Sequence, residues 1–190
     1  MANNASNVTA GKPAIAGAIH AAPKGSVLPT DATSPLDTSV FKALGYVSED
    51  GLTNATSIES TEIKAWGGAT VLTIQTSKDD NFSFTLIEVL NLDVLKFVFG
   101  SANVTGDLDS GITVKVNDSD VEEVALVIDM ILRDNTSRRI VIPDCKISEM
   151  GDVVYSDGDA VGYETTVVCM PDSEGNKHYE YTIKNSTISG

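Results

Sequence analysis

The chain of 190 residues carries 27 acidic residues against 13 basic ones, a formal net charge of −14 at pH 7, and is 42% apolar. That apolar share suffices for one core in a chain of this length, while the sign of the charge argues against a protein that grips nucleic acid through Lys and Arg. No segment reads as membrane-spanning, since the longest apolar stretch, Val124 to Leu132, is short and contains Asp129.

Residues 1–11 are polar and hold almost nothing to bury, which predicts a mobile N-terminal arm. A short apolar segment follows at 14–22; with only Lys12 as a positive side chain before it, and Pro13 between, it is a poor secretory signal. From 23 to 37 the chain carries Pro23, Gly25, Pro29 and Pro35 among Ser, Thr and Asp, a composition that disfavours helix and central strand, so a long Pro/Thr-rich loop is expected. Neither the arm nor this loop has enough apolar surface to offset its ordering entropy alone. Both are therefore expected to be mobile in the isolated chain.

Beyond residue 55 the apolar period is mostly two, the mark of half-buried strands. Phe82, Phe84 and Leu86 alternate with Ser83 and Thr85, and Ile112, Val114 and Val116 alternate with Thr113, Lys115 and Asn117. Val124, Leu126, Ile128, Met130 and Leu132 share one face of a longer strand, and residues 134–137 supply the turn into 138–142, a hairpin. Residues 163–170, a turn through 171–176, and 178–183 predict a second hairpin. One segment breaks this rhythm. Asn91 is a good N-cap, Asp93 suits the first turn, Leu92, Leu95 and Phe99 fall on one helical face, and Gly100 ends it. The whole predicts a mainly β domain: an antiparallel β-sandwich or partial barrel with one flanking α-helix.

Catalytic patterns are thin: there is no Gly-x-Ser-x-Gly, no phosphate-cradling Gly-Lys-Ser/Thr loop, no Gly-x-Gly-x-x-Gly and no His-Glu-x-x-His. The two histidines, His20 and His178, read as structural or solvated. Cys145 and Cys169 lack metal-type spacing and read as two buried, reduced thiols, although a bridge between neighbouring strands is geometrically conceivable. No cofactor is implied. Asp107, Asp109, Asp118, Asp120, Glu122 and Glu123 cluster around the single base Lys115, with Gly111 where a calcium loop would place a ligand. They read as a solvated acidic face. Trp66, followed by Gly67 and Gly68, is either a core anchor before a bend or a contact between subunits.

Several pieces carry a resemblance in their order and spacing: Ala22-Pro23-Lys24-Gly25 through Pro29-Thr30-Asp31-Ala32, then Phe41-Lys42-Ala43-Leu44-Gly45-Tyr46-Val47-Ser48-Glu49-Asp50-Gly51-Leu52, then Lys64-Ala65-Trp66-Gly67-Gly68. Thr85-Leu86-Ile87-Glu88-Val89-Leu90-Asn91, Val94-Leu95-Lys96 and Phe99-Gly100 continue it. Together they resemble the major tail (tail tube) proteins of long-tailed, siphophage-type bacteriophages. The resemblance implies a single tail tube domain over residues 1–190 and a structural, non-enzymatic virion protein. Its copies would form hexameric rings that stack into the tube through which DNA is ejected, with Asp107, Asp109, Asp118, Asp120, Glu122 and Glu123 as candidate lumen acids. The arm and the Pro/Thr-rich loop would then find their partners on a neighbouring copy. It further implies as partners other copies of the chain, a tape-measure protein, and tail initiator and terminator proteins, with transient passage of double-stranded DNA and no membrane. The location implied is the virion tail, with assembly in the host cytoplasm. An extracellular carbohydrate-binding or adhesive β-sandwich is the alternative that strands, acidity and Asn/Thr richness also fit.

Overall fold

The structure is a computed structural model that describes residues 3–14 and 18–185. The first two residues of the expected arm, and residues 15–17 of the short apolar segment, lie outside the described residues. Eleven strands are described: β1 (Lys12–Pro13), β2 (Ile19–Pro23), β3 (Lys42–Ala43), β4 (Val47–Lys64), β5 (Thr70–Leu86), β6 (Val104–Thr105), β7 (Thr113–Val114), β8 (Val124–Leu132), β9 (Thr136–Met150), β10 (Tyr163–Cys169) and β11 (Tyr179–Lys184), with one helix, α1 (Leu92–Phe99), between β5 and β6. Nine strands join in one antiparallel sheet of order β3-β2-β8-β9-β10-β5-β4, with β1 on β8 and β11 on β9; β6 and β7 form a separate ribbon. The path has two free ends, so among the described residues the sheet stays open and no barrel closes. The expected mainly β, antiparallel architecture with a single helix is what the chain adopts.

Alternation decides which side chains meet. Phe82, Phe84 and Leu86 of β5, Leu126 and Ile128 of β8, Ile140, Ile142 and Cys145 of β9, and Val167 and Cys169 of β10 all point to one face and form the main core. Helix α1 covers that face with Val94, Leu95, Phe97 and Val98; the Phe97 ring lies 6.3 Å from Phe84, and Phe99 meets Tyr163 edge-on at 5.4 Å. Its ends are as expected: the Asn91 side chain accepts the Asp93 amide at 3.0 Å, and Gly100, at φ 88°, stops it.

The other face of β8 and β9 is covered as well. Val127 and Val141 pack with Ala22 and Phe41, and Leu28, Leu36, Val40, Tyr179 and Tyr181 lie against them. The Pro/Thr-rich loop thus folds back over its own sheet. Arg139, 5% exposed, holds it there: its guanidinium forks onto Asp129 at 2.6 and 3.0 Å and donates to the carbonyls of Ser34 at 2.8 Å and Asp31 at 3.3 Å. The expectation that this loop finds its apolar partners only on a neighbour is corrected, because β8 and β9 present apolar side chains on both faces. Burial on both faces also explains why Ala125 to Ile128 read as a continuous apolar run.

The first expected hairpin forms, Leu132 opposing Thr136, with Asp134 and Asn135 at φ 56° and 55°, a conformation that Asp and Asn tolerate better than most residues. The second does not. Strands β10 and β11 both pair antiparallel with β9, β10 along residues 150–145 and β11 along 141–136, so they run in the same direction, end to end. The reason lies in the loop between them. Asp172 accepts the amides of Glu174 and Asn176, both at 2.9 Å, and the Tyr179 hydroxyl at 2.6 Å, which closes residues 172–179 into a self-contained excursion that returns the chain to the edge it left. Of the alternating run 112–117, only Thr113–Val114 is strand. Among the described residues, no helix is long and apolar enough to cross a membrane.

Candidate assembly surface

The largest feature outside the core is the hairpin of β4 and β5. From Thr56 to Lys64 on one strand and Thr70 to Asp80 on the other, each pairs only with its partner among the described residues, and nearly every residue between 53 and 79 is exposed. At roughly 3.3 Å per residue the free ribbon is on the order of 30 Å long. Its chemistry is not that of a solvated loop. Ile63 opposes Leu72, and Ile74 sits two residues further along the same face opposite Thr61, so an apolar patch stands in solvent at 45%, 51% and 46% exposure. Val71 and Ile58 are exposed too. A lone two-stranded hairpin is marginal in water, and one that bares apolar side chains is a surface waiting for a partner.

Trp66 stands at the tip of this ribbon, fully exposed at 107%. The reading of Trp66 as a core anchor is therefore corrected: the strand does not end on the sheet but beyond it, and the indole meets no core. The glycine bend after it does form. Ala65 donates to the Ala69 carbonyl at 2.8 Å, Gly68 donates back to Ala65 at 2.9 Å, and Gly67 and Gly68 take φ of 105° and 92°, which only glycine adopts readily.

The root of the ribbon is fixed by polar contacts. Asp80, 4% exposed, accepts from the Asn54 amide at 2.8 Å and the Thr56 hydroxyl at 3.2 Å, and meets His178 Nδ1 at 2.5 Å. Burial pushes the Asp80 carboxyl up, but the hydrogen bonds from Asn54, His178 and Thr56 outweigh it and hold the group below the usual carboxylate range. Next to it, Lys177 donates to the Lys78 carbonyl at 2.5 Å and lies 3.6 Å from Asp79. His178 is thus neither outward nor merely solvated, since its ring also packs edge-on against Phe82 at 5.3 Å. The excursion between β10 and β11 clamps the ribbon where it leaves the sheet. A second clamp sits at the start of β4, where Glu88 accepts the Tyr46 amide at 2.9 Å; any side chain at Gly45, at φ 68°, would collide with that carboxylate.

The six acids singled out by sequence all lie exposed, along the segment from the β6–β7 ribbon to the start of β8. They are not equivalent. Glu123 meets Lys24 at 2.6 Å, and that lysine also meets Asp144 at 2.6 Å; the two carboxylates, Asp144 first, hold its ammonium up to about 12. Asp120 meets Lys146 at 3.2 Å, and Glu122 accepts the Ser101 hydroxyl at 2.9 Å. Asp107 accepts the Ser110 hydroxyl and amide, both at 2.7 Å, which lowers its pKa. Asp109 and Asp118 have no side-chain partner among the described residues. The ribbon's apolar patch escaped the sequence reading because neither face is apolar throughout; the short run Val71-Leu72-Thr73-Ile74 was its only signal. Asp80 and His178 are too far apart in sequence to be paired by spacing.

A family model described as phage tail tube protein matches residues 1–189. Comparison with curated proteins gives no match.

Proposed function

We propose, since the chain belongs to the phage tail tube protein family and is a structural protein of the virion tail, that its copies assemble as hexameric rings stacked into a tube that conducts DNA during ejection. The observation that carries this reading is the β4–β5 ribbon, which leaves the subunit with an apolar patch and a tryptophan exposed. Laid against an adjacent copy, Trp66, Ile63, Leu72 and Ile74 would lose their contact with water, and buried Trp is the residue type that most often dominates such contacts. Self-assembly would thus supply the partner that the ribbon lacks.

The acids take the other role in this reading. DNA sticks to a basic surface by releasing counterions, whereas an acidic wall repels it and lets it slide. Asp109 and Asp118, free of compensating cations, fit such a wall best; Asp120 and Glu123 are partly neutralised by Lys146 and Lys24. A tape-measure protein inside the growing tube, initiator and terminator proteins at its ends, and assembly in the host cytoplasm complete the reading. Negative-stain microscopy of the concentrated, purified chain tests it. Rings or tubes in the wild type, lost in Trp66→Ala, are expected; discrete monomers that bind glycan would return the protein to the adhesive alternative.

A further inference from the structure

Cys145 and Cys169 lie directly opposite each other in the centre of the sheet, in the antiparallel register of β9 and β10. The next pair along, Met170 and Asp144, is hydrogen-bonded, Met170 donating to the Asp144 carbonyl at 2.9 Å. Hydrogen-bonded and non-hydrogen-bonded pairs alternate, so the two cysteines occupy a non-hydrogen-bonded pair, the closer kind, where opposing Cα atoms are about 4.5 Å apart. That spacing lies within the range disulfides span, roughly 4.4 to 6.8 Å. Directly opposed residues share a face. Both thiols point into the main core, at 0% and 1% exposure, and both are free.

We propose that Cys145 and Cys169 are an oxidisable pair that closes into a disulfide within one subunit when the protein meets a low-molecular-weight disulfide such as oxidised glutathione. The chemistry is two successive exchanges. One cysteine thiolate attacks a sulfur of oxidised glutathione and releases one glutathione thiolate; the second cysteine thiolate attacks the protein sulfur and releases the other. The two protein thiols are oxidised, one glutathione disulfide is reduced to two thiols, and the two protons go to solvent or to the glutathione thiolates. Cys169 is the expected first nucleophile, because it ends β10 where the 172–179 excursion begins and the strand has least to hold it.

The surroundings set when this happens. Burial, then the proximity of Cys169 and Asp144, pushes the Cys145 thiol well up, and burial, then Asp80, raises Cys169 to about 12. Thiolate is scarce and shielded, so the pair stays reduced in a reducing compartment and reacts as the end of β10 opens. Once formed, the bridge would staple β9 to β10 beside the root of the ribbon. The inference needs only the strand register and does not rest on the tube reading.

The experiment uses the full chain. Wild-type protein is held with excess oxidised glutathione a few degrees below its melting temperature, and then denatured for thiol titration and intact mass. The expected product is a monomer lighter by two hydrogens with no titratable thiol, melting about 10 °C higher than the reduced form, as a loop of this length implies. Cys145→Ala should keep its Cys169 thiol or acquire one glutathione, with no such rise; Cys169→Ala serves if that variant does not fold. Wild-type protein that retains both thiols, carries glutathione at either cysteine, or links into covalent dimers would overturn the proposal.

Discussion

Arg139 holds two things at once, and replacing it separates them. The guanidinium pairs with Asp129 and ties down the Asp31 and Ser34 carbonyls of the loop that covers the outer face of β8 and β9. Arg139→Ala leaves Asp129 uncompensated at a site where the arginine side chain is only 6% and the aspartate 17% exposed. Removing one member of such a pair costs about 3 to 5 kcal/mol, most of it the penalty of a charge left without its partner. For a domain of this size that corresponds to a melting temperature lower by about 10 °C. His20 supplies a local readout, because burial, opposed by Asp129 and assisted by Arg139, holds its pKa below the ordinary value. Without the arginine and with the aspartate left in place, His20 should titrate at higher pH, visible in its NMR shifts.

A second variant divides the effect. Arg139→Met combined with Asp129→Leu removes the stranded charge, so much of the lost stability should return, while the two loop carbonyls still lack their donor. Hydrogen exchange should then show residues 28–41 losing protection in both variants, although only the single one is strongly destabilised. Urea denaturation of both proteins, compared with the parent, gives the free energies. A single variant that costs less than about 1 kcal/mol, or loop protection unchanged in both, would refute the claim that this ion pair fastens the loop.

The remaining predictions concern the ribbon and the acids. Trp66→Ala should leave the subunit's stability within about 0.5 kcal/mol of the parent, because the indole contacts no core, while abolishing rings and tubes in microscopy; a clearly destabilised monomer would place Trp66 in a core after all. Asp80 has a depressed pKa in the fold, so its contribution is complete above the unfolded value near 3.9 and disappears as the pH falls through the lower folded value; Asp80→Asn should flatten this part of the acid denaturation curve, and an unchanged curve would remove Asp80 as the clamp. Replacing Asp107, Asp109, Asp118 and Glu122 with Asn or Gln should leave tubes normal and slow DNA ejection most at low salt, where screening is weakest. Ejection unaffected at every salt concentration would place these acids on the outer wall.

What the sequence revealed follows from where each signal is stored. Helix α1 was legible to its caps, because Asn91 and Gly100 act on backbone groups within one turn of themselves. The strands with one wet face were legible from Phe82-x-Phe84-x-Leu86, since the period of two is a record of the core. The ribbon was not legible as an element: with both faces in solvent, residues 56–64 keep no core-imposed period, and their strand state is enforced only by pairing with 70–80. Trp66 kept two readings for the same reason, because the sequence shows that a tryptophan needs burial but not which molecule provides it. The mistaken second hairpin shows another limit. Residues 171–176 have turn composition, but whether a turn reverses the chain or returns it to the same strand depends on what Asp172 accepts and on β9 being long enough to seat both segments.

The division between core and ribbon bears on how such a subunit avoids premature polymerisation. The core is covered from within one chain: helix α1 packs on one face, and the loop fastened by Arg139 packs on the other. The ribbon is the reverse. Its root is clamped by Asp80 and His178, which fixes its direction, while beyond that root each strand depends on a single cross-strand partner and lies at the low end of local stability. Direction without rigidity suits templated growth. A ribbon held at its root meets an adjacent subunit in nearly the right orientation, yet its ordering entropy is recovered only when Trp66 and the Ile63, Leu72 and Ile74 patch are covered together. On the proposed ring assembly, two free subunits would bury part of that area, whereas a subunit arriving at a finished ring would bury all of it. A net charge of −14 on each copy adds repulsion to every chance encounter. On this argument, salt that screens the repulsion should promote untemplated tubes, and neutralising charges on the ribbon itself, at Glu59 and Glu62, should do so more strongly than neutralising the same number elsewhere.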